Sequence, residues 1–243
     1  MDGTAHTIAA GSSRTAIVLY TRPMCGKFTQ MMSWREVVAY SQLLAATGDV
    51  ETVTPMRLAH VVTLDESGAR KSVPMRWGMV ARGAKDPMSG MKHIHARAET
   101  IDTLPTFREA FAQRRGLVAV TTFNEAKELS PTKREQQVIT PKDGKPLAIA
   151  VIWERWTHRN EGELLTFAMV TVPPNRLIAT VTDRMPAFLA PDEWSKWLGE
   201  EPASVEDLKA LLKPVEGDWD MRPQTKAPPP PKPQKPKAQE ELF

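Results

Sequence analysis

A chain of 243 residues, 41% of them hydrophobic, can bury one sizeable core and gives no compositional reason for more than one domain. A single Cys excludes an internal disulfide framework and points to a reducing compartment, and no apolar run approaches the roughly 20 residues of a membrane span. The net charge of +3 sits in the last segment: from Arg222 onward there are five basic and two acidic residues, so residues 1–221 sum to zero and bulk charge gives the body no bias toward nucleic acid.

Residues 1–23 are small, polar and weakly patterned, an extension with no core of its own. Within it "TAIVLY" (15–20) is too short for a secretory signal and lacks a charged n-region, so a cytoplasmic protein is expected. The folded domain is expected over 24–221. "SWREVVAYSQLLAA" opens with Ser33 and Glu36, a capping box ahead of a helical apolar run. "RLAHVVTLD" and "VPMRWGMV" read as strands joined by the turn "DESG". "TFREAFAQRR" repeats the capping device with Thr106 and Glu109. Strands follow at "GLVAVTTF", "LAIAVIW" and "LLTFAMVTV", with a second turn at "KDG". "APDEWSKWLG" places Pro191 in a first helical turn and Gly199 at a helix end. Strands outnumber helices and are often joined by turns, which predicts an α+β fold: a largely antiparallel, barrel-like sheet with helices packed outside. The last 22 residues, 222–243, hold seven prolines and form an extended, polyproline-like tail.

The single cysteine, Cys25, has two readings. Internal, it is a small buried hydrophobe. With Met24 removed and Cys25 at the N-terminus, it carries an amine and a thiol on adjacent carbons, with ordinary pKa values of about 8 and 8.5, so both are partly nucleophilic at neutral pH. Such a pair attacks an aldehyde twice: the amine forms a Schiff base, and the sulfur closes a five-membered thiazolidine. An internal cysteine cannot do this, because its nitrogen is an amide. Trp77, Arg97 with Glu99, Glu125, and Asp183 with Arg184 are each, taken singly, compatible with core, surface-pair or turn roles.

In order, "MCGKF" (24–28), the Trp77-Gly78 pair, "ARAET" (96–100), the Phe-x-Glu ending at Glu125 and "DRMP" (183–186) resemble the SOS-response-associated peptidase (SRAP) family, the abasic-site processing proteins. The resemblance covers about Met24 to Leu198. It implies a mixed fold built on a barrel-like sheet, binding to single-stranded DNA, and a covalent thiazolidine between an N-terminal cysteine and the ring-opened sugar of an abasic site. Cys25 matches that nucleophile, which requires either a start at Met24 or cleavage of the leader between Met24 and Cys25. Glu125 matches a glutamate that shuttles protons. Arg97 and Arg184 match arginines on DNA phosphates, and Trp77 a position where a ring packs on an exposed base. No metal or cofactor is implied. DNA repair in the SOS response, with hydrolase, protease or lyase chemistry, and a monomer associated with the nucleoid when on DNA, complete the implied picture.

Two departures fall at the centre of the chemistry. His95 stands where the family has an asparagine, and Thr182 where it has a histidine. Asn124 and Ala126 replace the Tyr and Trp that flank the family's glutamate. His95 either stands in as a neutral hydrogen-bonding group, takes over acid–base work, or fills space in a degraded site. Besides the crosslinking enzyme, two readings therefore stay open: a non-enzymatic single-stranded DNA-binding module, and a cysteine peptidase. At the C-terminus, Gln239, Leu242 and Phe243 in "QEELF" resemble the peptide by which bacterial repair proteins bind the sliding clamp, a glutamine followed by an apolar pair.

Overall fold

The computed structural model describes residues 26–31, 50–158 and 162–225. The expected Ser33–Glu36 capping box, the leader with Cys25, and the QEELF motif lie outside these residues. Among them are twelve strands: β1 (Lys27–Met31), β2 (Val50–Val53), β3 (Leu58–Leu64), β4 (Arg70–Trp77), β5 (His95–Arg97), β6 (Arg115–Ser130), β7 (Lys133–Pro141), β8 (Leu147–His158), β9 (Gly162–Val172), β10 (Met185–Pro186), β11 (Phe188–Leu189) and β12 (Trp219–Pro223). Three short helices accompany them: α1 (Arg108–Gln113), α2 (Trp194–Leu198) and α3 (Val205–Leu211). The mixed, sheet-dominated architecture is the one the sequence predicts.

The sheet closes on itself. β8 pairs with β9, β9 with β4, β4 with β3, β3 with β6, and β6 returns to β8. Most of these ladders are antiparallel, but β4 and β5 both run parallel to β9. The inward faces of β6, β8 and β9 are continuous apolar runs, with Val118, Val120, Ile149, Val151, Phe167 and Met169 fully buried. Gly116 is demanded where β6 crosses β3: a Cβ there would stand 2.6 Å from Val61 Cγ1 and 2.9 Å from the Val62 carbonyl. The 16-residue β6 leaves the barrel at its far end, where it instead pairs with β1 and β7.

Local signals are met unevenly. "DESG" turns with Gly68 at φ +82° and the Asp65 carboxylate accepting from the Ser67 and Ala69 amides. Pro191 opens a single 3₁₀ turn that runs into α2, and Gly199 ends α2 in the left-handed region. The Thr106–Glu109 capping box does not form. Turns beginning at Thr100 feed directly into α1, so its N-terminal amides already bond backbone carbonyls such as Leu104. Glu109 is drawn instead to Arg82 and Arg114. Arg115 donates to the carbonyls of Phe111, Ala112 and Trp197, capping α1 and α2 from the root of β6. β12 carries Arg222 and Pro223 into a ladder with β7, two residues beyond the expected domain end.

Candidate active site

The site gathers where β1 meets the outer half of β6. Lys27 lies beside Asn124 and Phe28 beside Phe123. Carrying that register back one residue sets Gly26 across from Glu125. Gly26 is exposed and begins the described chain; Cys25 is joined to it by one peptide bond, which holds consecutive Cα atoms about 3.8 Å apart. β1 is held in place by Gln30, 2% exposed, whose carboxamide accepts from the His60 amide at 2.8 Å and donates to the His60 carbonyl, a side-chain substitute for a strand ladder to β3. Glu125 is 1% exposed and stands opposite Gln137 of β7. By strand alternation it shares the face of Phe123.

On that side, Phe28 packs its ring 5.0 Å from Trp77. Trp77 is fully buried, stacks at 6.4 Å on Phe167, and donates its indole N–H to the Ile94 carbonyl at 2.8 Å. Its edge meets His95, ring centres 6.0 Å apart. One indole thus ties together β1, β4, β5 and β9. His95 is half-buried on β5, beside Met169 of β9; Arg97, two residues along on the same face, is exposed.

The "ARAET" and "DRMP" segments meet through an ion pair. Arg184, 9% exposed, forks onto Glu99 at 2.5 and 2.8 Å and donates to the Thr171 carbonyl at 2.6 Å. Thr182 is 1% exposed; its amide donates to Ile178, and its hydroxyl has no hydrogen bond among the described residues. No group of three potential metal ligands occurs among the described residues, and none of their helices is long and apolar enough to cross a membrane.

Residues 24–227 match the model of the SOS response associated peptidase (SRAP) family. The chain belongs to the SRAP family. Among its relatives, the abasic site processing protein YoaM of Bacillus subtilis is 30% identical over 200 residues, spanning 80% of this chain and 88% of that one. YoqW of the same organism, also named an abasic site processing protein, is 28% identical over 199 residues, 80% and 89%. The abasic site processing protein HMCES of Xenopus tropicalis is 25% identical over 183 residues, covering 66% of this chain and 55% of its own. In fold, a crystal structure of a Bordetella bronchiseptica protein superposes with a TM-score of 0.69 at 20% identity, covering 83% of this chain and 100% of that one.

Within this SRAP domain, two expectations for DNA contacts are corrected. Trp77 has no exposed face to offer a base, because the aromatic core closes over it. Arg184 spends both terminal nitrogens on Glu99 and Thr171, so it braces the site from inside rather than meeting a phosphate. Arg97 remains at the surface. Burial decides both corrections, and no local sequence pattern reveals it.

The Arg184 guanidinium holds the Glu99 carboxyl below its ordinary value of 4.5, with the charge of Arg97 adding to the effect. A carboxyl whose folded pKa is depressed contributes stability that is fully present above its unfolded value and lost as the pH falls through the folded one. The SRAP domain should therefore lose stability more steeply below pH 4.5 than its Glu99→Gln variant does. Urea unfolding at neutral and acid pH measures this; parallel acid slopes for the two proteins would show that the fork contributes nothing.

Proposed function

We propose that this SRAP protein processes abasic sites in DNA, capturing the ring-opened sugar through Cys25. The observation that carries this reading is the register of β1 on β6, which sets Lys27, two residues after Cys25 in sequence, across from Asn124, the neighbour of buried Glu125. Relatives named as abasic site processing proteins, with alignments covering 80% of this chain, support it. So does the family match beginning at Met24, which coincides with the residue whose removal frees the Cys25 amine.

The chemistry needs no external reagent. The free amine adds to the C1′ aldehyde and water leaves, giving an imine. The thiolate then adds to the imine carbon, and the nitrogen takes up a proton to complete the thiazolidine. Proton transfers accompany both steps, and Glu125 and His95 are the groups suited to them. Thr182, a buried hydroxyl, does not ionise at neutral pH and serves neither step. Arg97 supplies an exposed cation for the strand's phosphates. The tail motif of Gln239, Leu242 and Phe243 would tether the protein to a sliding clamp, bringing it to replicating DNA.

The protein beginning at Met24, its methionine removed, should form a denaturant-resistant adduct with single-stranded DNA carrying one abasic site. Cys25→Ala should form none, and neither should the full chain with its leader still attached, because its Cys25 nitrogen is an amide. A denaturing gel read alongside intact mass decides the matter. Equal adduct yield with and without the leader would overturn the N-terminal mechanism and leave the DNA-binding module or peptidase reading.

A further inference from the structure

Alternation along β6 sends Glu125 to one face and Asn124 and Ala126 to the other. On that second face lies a cleft of about 340 Å³, bordered by Gly26, Asn124, Ala126, Arg134, Gln136 and Gln224 among others. Asn124, only 3% exposed, lines this cleft. Gln136 stands directly across from Ala126 in the β6–β7 ladder, and the Gln224 backbone amide donates to the Gln136 carbonyl at 2.7 Å, which sets both cleft-lining glutamines side by side. Arg134, exposed on the same strand as Gln136, forms no ion pair among the described residues.

We propose that this cleft receives one nucleobase next to the abasic sugar and reads its polar edge, favouring adenine. The proposal rests on the reading that abasic DNA is the substrate. A carboxamide presents a donor and an acceptor side by side, the pattern that meets the N6 and N7 atoms of adenine with two hydrogen bonds. Three carboxamides around one opening concentrate that pattern. Ala126 leaves the floor open where a larger side chain would fill it. Gly26 borders the cleft and follows Cys25 directly in sequence, so a base held here would adjoin a sugar captured by Cys25. Arg134 lies at the rim, where the backbone of the bound strand passes.

The test uses oligonucleotides carrying a tetrahydrofuran abasic analogue, which cannot form the adduct, with each of the four bases in turn on either side of it. Fluorescence anisotropy at fixed salt gives the dissociation constants. One flanking position should favour adenine over thymine by roughly tenfold, the scale of a single bidentate contact. Asn124→Ala, and separately the surface change Gln136→Ala, should each flatten that ratio, with thermal melting confirming that both variants fold. Equal affinity for all four bases in the parent overturns the proposal. So does a uniform loss across all four bases in the variants, which would make the cleft a phosphate seat. Because the analogue bypasses Cys25, a base preference found together with absent adduct formation supports the cleft and counts only against the covalent reading.

Discussion

Replacing Glu125 by Gln should slow adduct formation with abasic DNA by about 10²- to 10⁴-fold, the range a positioned proton-transfer group typically contributes. The change keeps the shape of the side chain and its place opposite Gln137, and removes only the ability to exchange a proton. Imine formation must deliver a proton to the departing hydroxyl, and ring closure must deliver one to nitrogen. If Glu125 carries these protons, its side chain, 1% exposed to solvent on the strand that flanks the start of β1, would do so without competition from bulk water. Single-turnover kinetics on a denaturing gel give the rate, and thermal melting shows whether the fold is intact. The parent should also show a pH dependence of the rate that the variant lacks. A variant within threefold of the parent, with an unchanged pH profile, would remove Glu125 from the chemistry and leave His95 as the proton carrier.

Trp77→Ala should destabilise the domain by about 3–5 kcal/mol, the usual cost of emptying a core position of this size. In a domain of this length that lowers the melting temperature by on the order of 10 °C. The reason is the number of elements the indole joins: Phe28 of β1, Phe167 of β9, His95 of β5 and the Ile94 carbonyl all contact it. Because Phe28 lies three residues after Cys25, the loss also loosens the strand that follows Cys25. Trp77→Phe keeps most of the apolar volume and removes one of the two donors to the Ile94 carbonyl, which keeps the Met169 amide, so it should cost only about 1–2 kcal/mol. DNA affinity in Trp77→Phe should equal that of the parent, since no face of the ring reaches solvent. Differential scanning calorimetry and anisotropy together test this. Unchanged stability in Trp77→Ala, or DNA binding lost in Trp77→Phe, would return Trp77 to the role of a base-stacking surface.

Both experiments concern residues visible in the sequence, and they separate what was legible there from what was not. The five long apolar runs became β3, β4, β6, β8 and β9 because strand alternation and turn chemistry act over two to four residues, a distance that a sequence displays directly. "DESG", Pro191 and Gly199 worked for the same reason: each meets its backbone demand within its own turn. β7 and β12 were not legible, because their polar residues outnumber the few that point inward and only pairing with one another and with β6 orders them.

At the site, the order of "MCGKF", "ARAET", Glu125 and "DRMP" indicated the family. The sequence could not say which way each side chain faces or what it meets. Glu99, two residues from Arg97 in sequence, pairs with Arg184, 85 residues away. Thr106 and Glu109 carry a helix-capping spacing that goes unused, because preceding turns and the distant Arg82 and Arg114 supply better partners. Trp77, an amphipathic side chain equally suited to a surface or a core, became core because β4 runs parallel to β9 and lays it on Phe167. Local geometry is determined by neighbours along the chain, whereas the role of a long side chain with both polar and apolar parts is decided by whichever surface closes over it, and that surface comes from strands far apart in sequence.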